Sequence, residues 1–400
     1  MQKFTGKQYL QIDIASNYGL DKKTWEYRLN WFEENQGKLD SLVKTAKEPA
    51  LFYAGVLAWK DAQQQKATGY PISLDATSSG LQLLACLTGD RQAAQLCNVV
   101  STGQREDAYT NIYDYMLDIT GDSAKISRDM AKDAVMTSLY GSEAVPKRVF
   151  GTGRLLGIFF DTMEKLAPAA WELNQAFLTM WNPNALSHDW VLPDNFHVHV
   201  PVINQVSNTV HFLDEPFEVF TKVNAPMEKG RSLGANSIHS VDGMVVREIV
   251  RRCDYNPVQI ELVRDALKTD VNPEFLTETE DTKLVKILWN HYEESGYLSA
   301  RILDHLHYGT AHLVQREPVI ELLDSLPAKP FKVLTVHDCF RCLPNYGNDL
   351  RMQYNRQLFE IARSNLLSFI VSQILQRRVS LGKLDPKLHL DILNTDYALS

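Results

Sequence analysis

Two hydrophobic periods run through the chain, and they divide it. From Trp25 to Lys47, Leu29, Phe32 and Leu39 stand apolar among charged residues, which predicts a helix. An apolar helix follows near Leu51 to Trp59, and Gly69-Tyr70-Pro71 interrupts the pattern. Ile72 and Leu74 then flank Ser73 in a short predicted strand ending at Asp75. The next helix starts near Ser78 or Ser79 and carries Leu81, Leu83, Leu84 and Leu87. Asp107 to Leu117 and Ser127 to Leu139 read as further helices, the first rich in tyrosine. Between residues 190 and 224 the period changes to two. Val191, Val198, Val200, Val202, Val206 and Val210 alternate with polar residues, which predicts hairpins. Residues 254–317 return to helix-like, charge-rich sequence. KVLTVH at 332–337 predicts a β-branched strand ending at Asp338, and Met352 to Gln376 predicts one long amphipathic helix.

Composition adds bounds. A chain of 400 residues holds two or three domains at roughly 150 residues each. No apolar run approaches ~18 residues, so no transmembrane helix is expected. The opening MQKFTGKQYLQIDIAS lacks a continuous apolar stretch, so a secretory signal is not expected either. Five cysteines form no disulfide framework, which favours a reducing cytosol, and Cys339 and Cys342 make a lone C-x-x-C of little weight. The formal net charge of −8 gives no support to nucleic-acid binding. A basic channel can still sit within an acidic protein, so any such case rests on motifs.

Asp75 and Asp338 each sit where a predicted strand stops. An apolar strand gains little from a terminal Asp. Two carboxylates on adjacent strand ends can hold two Mg²⁺ ions ~3.5–4 Å apart, the arrangement that serves both oxygens of a phosphoryl transfer. The plainer alternative for either residue is a turn or a helix cap. On an ideal helix, positions 128, 132, 136 and 140 advance about 40° per step along one broad face. Arg128 and Lys132 can therefore point together at a triphosphate. Tyr140 falls at the helix end, where Gly141 permits close approach of a ligand. The plainer alternative here is an exposed basic face and a core tyrosine.

Three stretches carry a resemblance. SLDATSSGLQLLACL at 73–87, RDMAKDAVMTSLYGS at 128–142 and TVHDCF at 335–340 resemble, in that order, motifs A, B and C of the single-subunit phage and mitochondrial DNA-directed RNA polymerases. YLQIDIASNYGLDKKTWEYRLNWFEEN at 9–35 looks like the segment upstream of motif A. HSVDG at 239–243 looks like the family's histidine motif, and DILNTDYALS at 391–400 like its C-terminal foot. The resemblance implies an α+β fold: the palm and fingers of a right hand, mostly helical around a small antiparallel palm sheet, with a β-hairpin region. It places the palm with motif A at 1–118, the fingers at 119–253, a helical insertion at 254–317, and the palm with motif C and the foot at 318–400. It implies template-directed addition of NTPs to an RNA 3′ end by a two-metal mechanism. Mg²⁺ would be bound by Asp75, Asp338 and the Ala76 carbonyl. Lys22, Arg128 and Lys132 would bind the incoming nucleotide beside Gly141. Tyr140 and His239 would select the 2′-hydroxyl. Tyr109, His337 and Ser400 would support the site.

The family's upstream D-x-x-G-R element has no counterpart here, and EKGR at 228–231 is in the wrong place. A thumb and an N-terminal domain are likewise expected to be absent. The resemblance is closest to the larger subunit of the heterodimeric RNA polymerases of N-four-like phages. It implies a second subunit that supplies those elements and the missing arginine, with an exposed apolar surface near residues 1–60 to receive it. DNA template, RNA and NTPs are then the other partners, and the cytoplasm of an infected bacterium the location. The family's promoter-reading hairpin maps between Trp190 and Val223. Competing readings are a DNA polymerase fragment of the related A family, a catalytically inactive DNA-binding subunit, and an α-rich scaffold.

Overall fold

A computed structural model describes residues 1–121, 126–269 and 277–400. Residues 122–125, within the expected fingers, and 270–276, within the expected insertion, lie outside the described residues. The fold is α+β, with helices gathered around small antiparallel sheets. The central sheet has three strands: β1 Ile72–Asp75, β6 Leu334–Val336 and β7 Cys339–Cys342, in the order β1-β7-β6. Ile72 and Leu74 are buried on one face of β1, and Phe340 and Cys342 match them on β7. Asp75 pairs opposite Cys339, at the end of the sheet.

Motif C differs from the strand expected. Only Leu334–Val336 pairs, and Asp338 sits in a two-residue hairpin turn, not at a strand end. Val336 opposite Cys339 leaves His337 and Asp338 as the turn, and such turns demand positive φ. His337 adopts φ 55°. A side chain in the left-handed region where glycine or asparagine usually sits is held there by its surroundings. The long helix expected over 352–376 is two helices, Gly347–Arg363 and Leu366–Ile374. Ser364 is extended (ψ 171°), its Oγ accepts from the Leu366 amide, and the Asn365 amide donates to Ser295 O at 2.7 Å. A contact 70 residues upstream in sequence thus breaks the helix. The segment from Trp25 also breaks, after Asn35, into short turns around Gly37.

Helix Ser79–Thr88 is the centre of the main core. Its residues are buried on nearly every side, against helices Gly347–Arg363, Pro168–Thr179 and Ser232–Cys253. Gln82 sits fully buried within it. Its Nε2 donates to Thr77 Oγ1, Cys97 O and Ala398 O at 2.9–3.0 Å, and its Oε1 accepts from Tyr354 Oη at 2.6 Å. One side chain so ties the helix after β1 to the last residues of the chain. Those residues extend the sheet edge: Ala76 bridges Leu399, and the Ser400 amide donates to Asp75 O at 2.9 Å. Tyr397 stacks on Trp25 at 5.4 Å, and the fully buried Arg351 donates to Asp396 O at 2.9 Å.

A second core, separate from the first, gathers Val263, Val285, Leu288, Ile302, Leu306 and Val319. It runs on through helix Arg316–Asp324, past residue 317. The hairpin region forms two ribbons, β2 Ser187–Val191 with β3 His197–Pro201, and β4 Ile203–Phe212 with β5 Glu215–Asn224. The β4–β5 ribbon is amphipathic by register. Val206, Val210, Phe212, Phe217 and Val219 share one face, and all are exposed. Among residues 1–60, by contrast, the exposed large apolar side chains are Tyr27, Tyr53 and Leu57. Exposed apolar side chains are more numerous on the ribbon.

Strand β1 is anchored from behind by a buried carboxylate. Asp13, on helix Gly6–Ala15, accepts from the Ser73 amide at 2.8 Å, Tyr70 Oη at 2.7 Å and Asn17 Nδ2 at 3.0 Å. Burial pushes its carboxyl up to about 6, against the opposing pull of those hydrogen bonds.

Two stability tests follow from these networks. Tyr354→Phe leaves Gln82 Oε1 buried without its donor and costs ~1–3 kcal/mol, read as a lower urea midpoint at unchanged slope. Because the folded Asp13 carboxyl titrates above its unfolded value, its contribution is fully present below the unfolded pKa and is lost as pH rises through about 6. The stability of the native chain relative to Asp13→Asn therefore falls by roughly 2–3 kcal/mol between about pH 4 and about pH 7. A difference that stays flat with pH rules this out.

Candidate active site

At the exposed end of the central sheet lies a cavity of about 300 Å³. β1 delivers Asp75, with Ala76 and Thr77 following it, and the β6–β7 turn delivers Asp338. The Ala76 amide donates to Asp338 O at 3.1 Å, so the backbone itself holds the two carboxylate-bearing residues side by side. Burial raises the Asp75 carboxyl; a hydrogen bond with Cys339 opposes this, and the charge of Asp338 adds to it. The C-x-x-C thus places Cys339 against a carboxylate, while Cys342 is buried, with its thiol pushed up to about 12 by burial. All five cysteines are free.

The opposite wall is cationic. Asp107 caps helix Ala108–Thr120 by accepting from the Tyr109 and Thr110 amides at 3.1 and 3.2 Å. Its second oxygen pairs with Arg128 at the start of helix Arg128–Ser138. Burial alone would raise the Asp107 carboxyl; the hydrogen bond and charge of Arg128 outweigh it and hold the carboxyl low. Arg128 also donates to Thr110 Oγ1 at 2.7 Å. Its guanidinium lines the cavity, but it is committed to the neighbouring helix rather than left open beside Lys132. Lys132, one turn on, lies over the Tyr109 ring at 5.8 Å and makes no ion pair among the described residues. Lys22 also lines the cavity, and burial, with the charge of Arg128, lowers its ammonium pKa. Tyr109 Oη lies 3.3 Å from Ser78 Oγ.

The remaining expected residues divide. Ser400 lines the cavity. Tyr140 packs its ring against His239 at 4.6 Å. Burial, with the nearby charge of Asp242, pushes its hydroxyl up to about 12. Gly80 makes room for that hydroxyl, since a Cβ there would lie 2.6 Å from Tyr140 Oη. Tyr140 and His239 form a second cluster, related to the cavity through the charges of Asp242 and Asp338. Gly141 does not line the cavity. Its φ of +82° ends the helix, and a Cβ would lie 3.3 Å from Arg231 O, so backbone packing explains the glycine. His337 is exposed beside Asp338.

The cavity also holds residues that sequence reading passed over: Asp21, Arg105, Glu106 and Asp107. Asp107 carried a signal, an Asp at the start of a predicted helix. Asp242 lies within HSVDG; burial and the charge of Asp338 push it up to about 6, against a hydrogen bond from Ser79. Asp13 was visible as a lone carboxylate in the apolar run LQIDIA. Among the described residues no group of three or more His, Cys, Asp or Glu side chains forms a metal-holding cluster.

Comparison with known proteins matches part of the sequence to a family. Residues 3–155, which include both cavity walls except Asp338 and Ser400, match the family model of DNA-dependent RNA polymerase. The chain is 28% identical over 158 residues to a probable DNA-directed RNA polymerase of Neurospora crassa, covering 34% of this chain and 18% of that one. It is 20% identical over 328 residues to the DNA-directed RNA polymerase of Pseudomonas phage phiKMV, covering 66% and 40%. A probable DNA-directed RNA polymerase of Gelasinospora sp. is 22% identical over 357 residues, covering 81% and 38%. The chain spans less than half the length of each of these relatives. By sequence, over most of its length, the chain is thus a relative of the DNA-directed RNA polymerases, as the resemblance of motifs A, B and C implied.

Proposed function

We propose that this chain carries the catalytic centre of a DNA-directed RNA polymerase, which adds NTPs to an RNA 3′ end on a DNA template. The observation that carries the reading is the convergence of Asp75 and Asp338 with Lys22, Arg128 and Lys132 on one cavity. Carboxylates and basic groups facing each other across a cleft suit a polyanion bound through cations. The donor set fits Mg²⁺: two carboxylates, with the Ala76 carbonyl at hand, offer hard oxygen ligands. The raised Asp75 carboxyl is a group whose charged form a bound cation would favour. When bound, Mg²⁺ supplies charge stabilisation at the transferring phosphoryl group.

The chain's own residues then have separate tasks. Lys22 and Lys132 bind the triphosphate. Arg128, through Asp107, fixes the helix that presents Lys132 and lines the same cavity. Tyr109, in contact with Ser78, lines the cavity that Asp75 also faces. Tyr140 and His239 meet the sugar, and Gly80 sets how far the Tyr140 hydroxyl reaches. Residues 1–118 and 318–400 act as palm and 119–253 as fingers, with 254–317 an added helical unit. The β-ribbons between Trp190 and Val223 hold the place of a promoter-reading element. A second subunit, as in the heterodimeric phage enzymes, completes the polymerase. The mass of the natively purified complex tests that; processive promoter transcription by this chain alone contradicts it.

Asp75→Asn or Asp338→Asn removes ligation and charge with little change of shape. Each should lower nucleotide addition by at least about 10²-fold while the circular dichroism spectrum and melting temperature stay near those of the parent chain. Near-normal elongation by either variant removes the assignment. A site built to bond a 2′-hydroxyl rejects the analogue that lacks it. Tyr140→Phe should therefore reduce the rNTP-over-dNTP preference about 10-fold and leave the chain active. An unchanged ratio excludes Tyr140, and a native preference for dNTPs supports the DNA polymerase reading instead.

A further inference from the structure

We infer that Arg105, to which neither the motifs nor the comparisons give a role, is a binding residue for the polyphosphate of the incoming nucleotide. The inference rests on the polymerase reading and deepens it by naming a residue of the same site. Four basic side chains line the cavity: Lys22, Arg105, Arg128 and Lys132. Of the two arginines, Arg128 is spent within the protein. Its Nη2 pairs with Asp107, its Nε donates to Thr110 Oγ1 and its Nη1 lies 3.7 Å from Asp129. Arg105 makes no ion pair among the described residues. Its Nε reaches Ser400 Oγ at 3.4 Å and its Nη1 reaches Lys22 O at 3.2 Å. Both are long, neutral contacts, and its Nη2 donates to no described residue.

The charges of Asp107 and Asp21 act on this half-buried guanidinium from within the same cavity, but neither forms an ion pair with it, and a guanidinium hydrogen-bonded only to neutral groups keeps donors free for an anion. The local sequence makes the position deliberate. Arg105 stands in the loop ahead of the Asp107 cap, and Glu106 beside it does not neutralise it. Glu106 instead accepts from Thr102 Oγ1 at 2.6 Å, Asn111 Nδ2 at 2.8 Å and Gln104 Nε2 at 3.2 Å. The carboxylate next in sequence, which also lines the cavity, is thus held by its own loop and not by the arginine, which lines the cavity that Asp75 and Asp338 also face. Its contact with the Lys22 backbone places two cations side by side, and Lys132 lines the same cavity. An arginine fork suits phosphate oxygens, two at a time, in a way a lysine cannot copy. A di- or triphosphate is the ligand chemistry this set of three unpaired cations fits.

The test uses the full chain and inorganic tripolyphosphate as the probe, with calorimetric titration at low salt. Tripolyphosphate has no base or sugar, so its binding is read apart from nucleotide addition. Arg105→Ala should weaken binding of tripolyphosphate and of ATP by about 10- to 100-fold, and leave adenosine binding within about twofold. Arg105→Lys should recover part of the loss. Equal losses for tripolyphosphate and adenosine indicate a structural role and overturn the inference. So does unchanged tripolyphosphate affinity in Arg105→Ala, or a parent chain that binds no tripolyphosphate. Failure of the polymerase reading shows elsewhere, as absent nucleotide addition by the natively purified complex.

Discussion

Everything at the candidate site depends on the pairing of β1 with β7. The two strands come from opposite ends of the sequence, and their register puts Asp75 against Cys339. The next hydrogen bond, from the Ala76 amide to Asp338 O, fixes the neighbouring residue. Two carboxylates brought so near repel each other, and the repulsion is worst where burial removes water. The fold answers with backbone bonds that side-chain repulsion cannot easily break. Asp13 holds Ser73 from one side, and residues 398–400 hold Asp75 to Thr77 from the other. Gln82 then locks that last segment to the core. This framework holds the cluster of negative charge together.

Much of this was legible in the sequence, and the exceptions have physical causes. β1 and the helix after it were readable because Ile72, Leu74 and the leucines at 81, 83, 84 and 87 carry the burial themselves. β7 was not read as a strand. CFRC is four residues long, too short for its alternation of buried and half-buried positions to stand out. Without β7 the turn at His337 and Asp338 could not be seen, so Asp338 was placed at a strand end. The break at Ser364 was hidden for another reason. Apolar spacing continues across it, and the bond that stops the helix comes from Ser295 in a different part of the fold. Local pattern cannot report a partner distant in sequence.

The site shows the same division. Asp75, Lys132 and Asp338 were singled out because each sits in a motif, and they share one cavity. Arg128 was also found, but its pairing with Asp107 depends on how two helices lie together. Arg105 belongs to no motif, and only its place in the cavity singles it out. The whole-chain charge of −8 obscured the rest. Basic groups from residues 22, 105, 128 and 132 converge on one cavity, and composition is silent about convergence.

The β4–β5 ribbon has a different relation to the rest of the molecule. Of its strand positions, only Asn204 and Val223 are partly covered; the others are exposed. None of its side chains fills either core. Substitutions there therefore leave the folding of the remainder almost untouched, whereas one at Gln82 disturbs three elements at once. Over generations the ribbon can drift in sequence without loss of the protein. Any apolar or acidic residue retained on it is then kept by what the ribbon touches, and not by the stability of the chain that carries it.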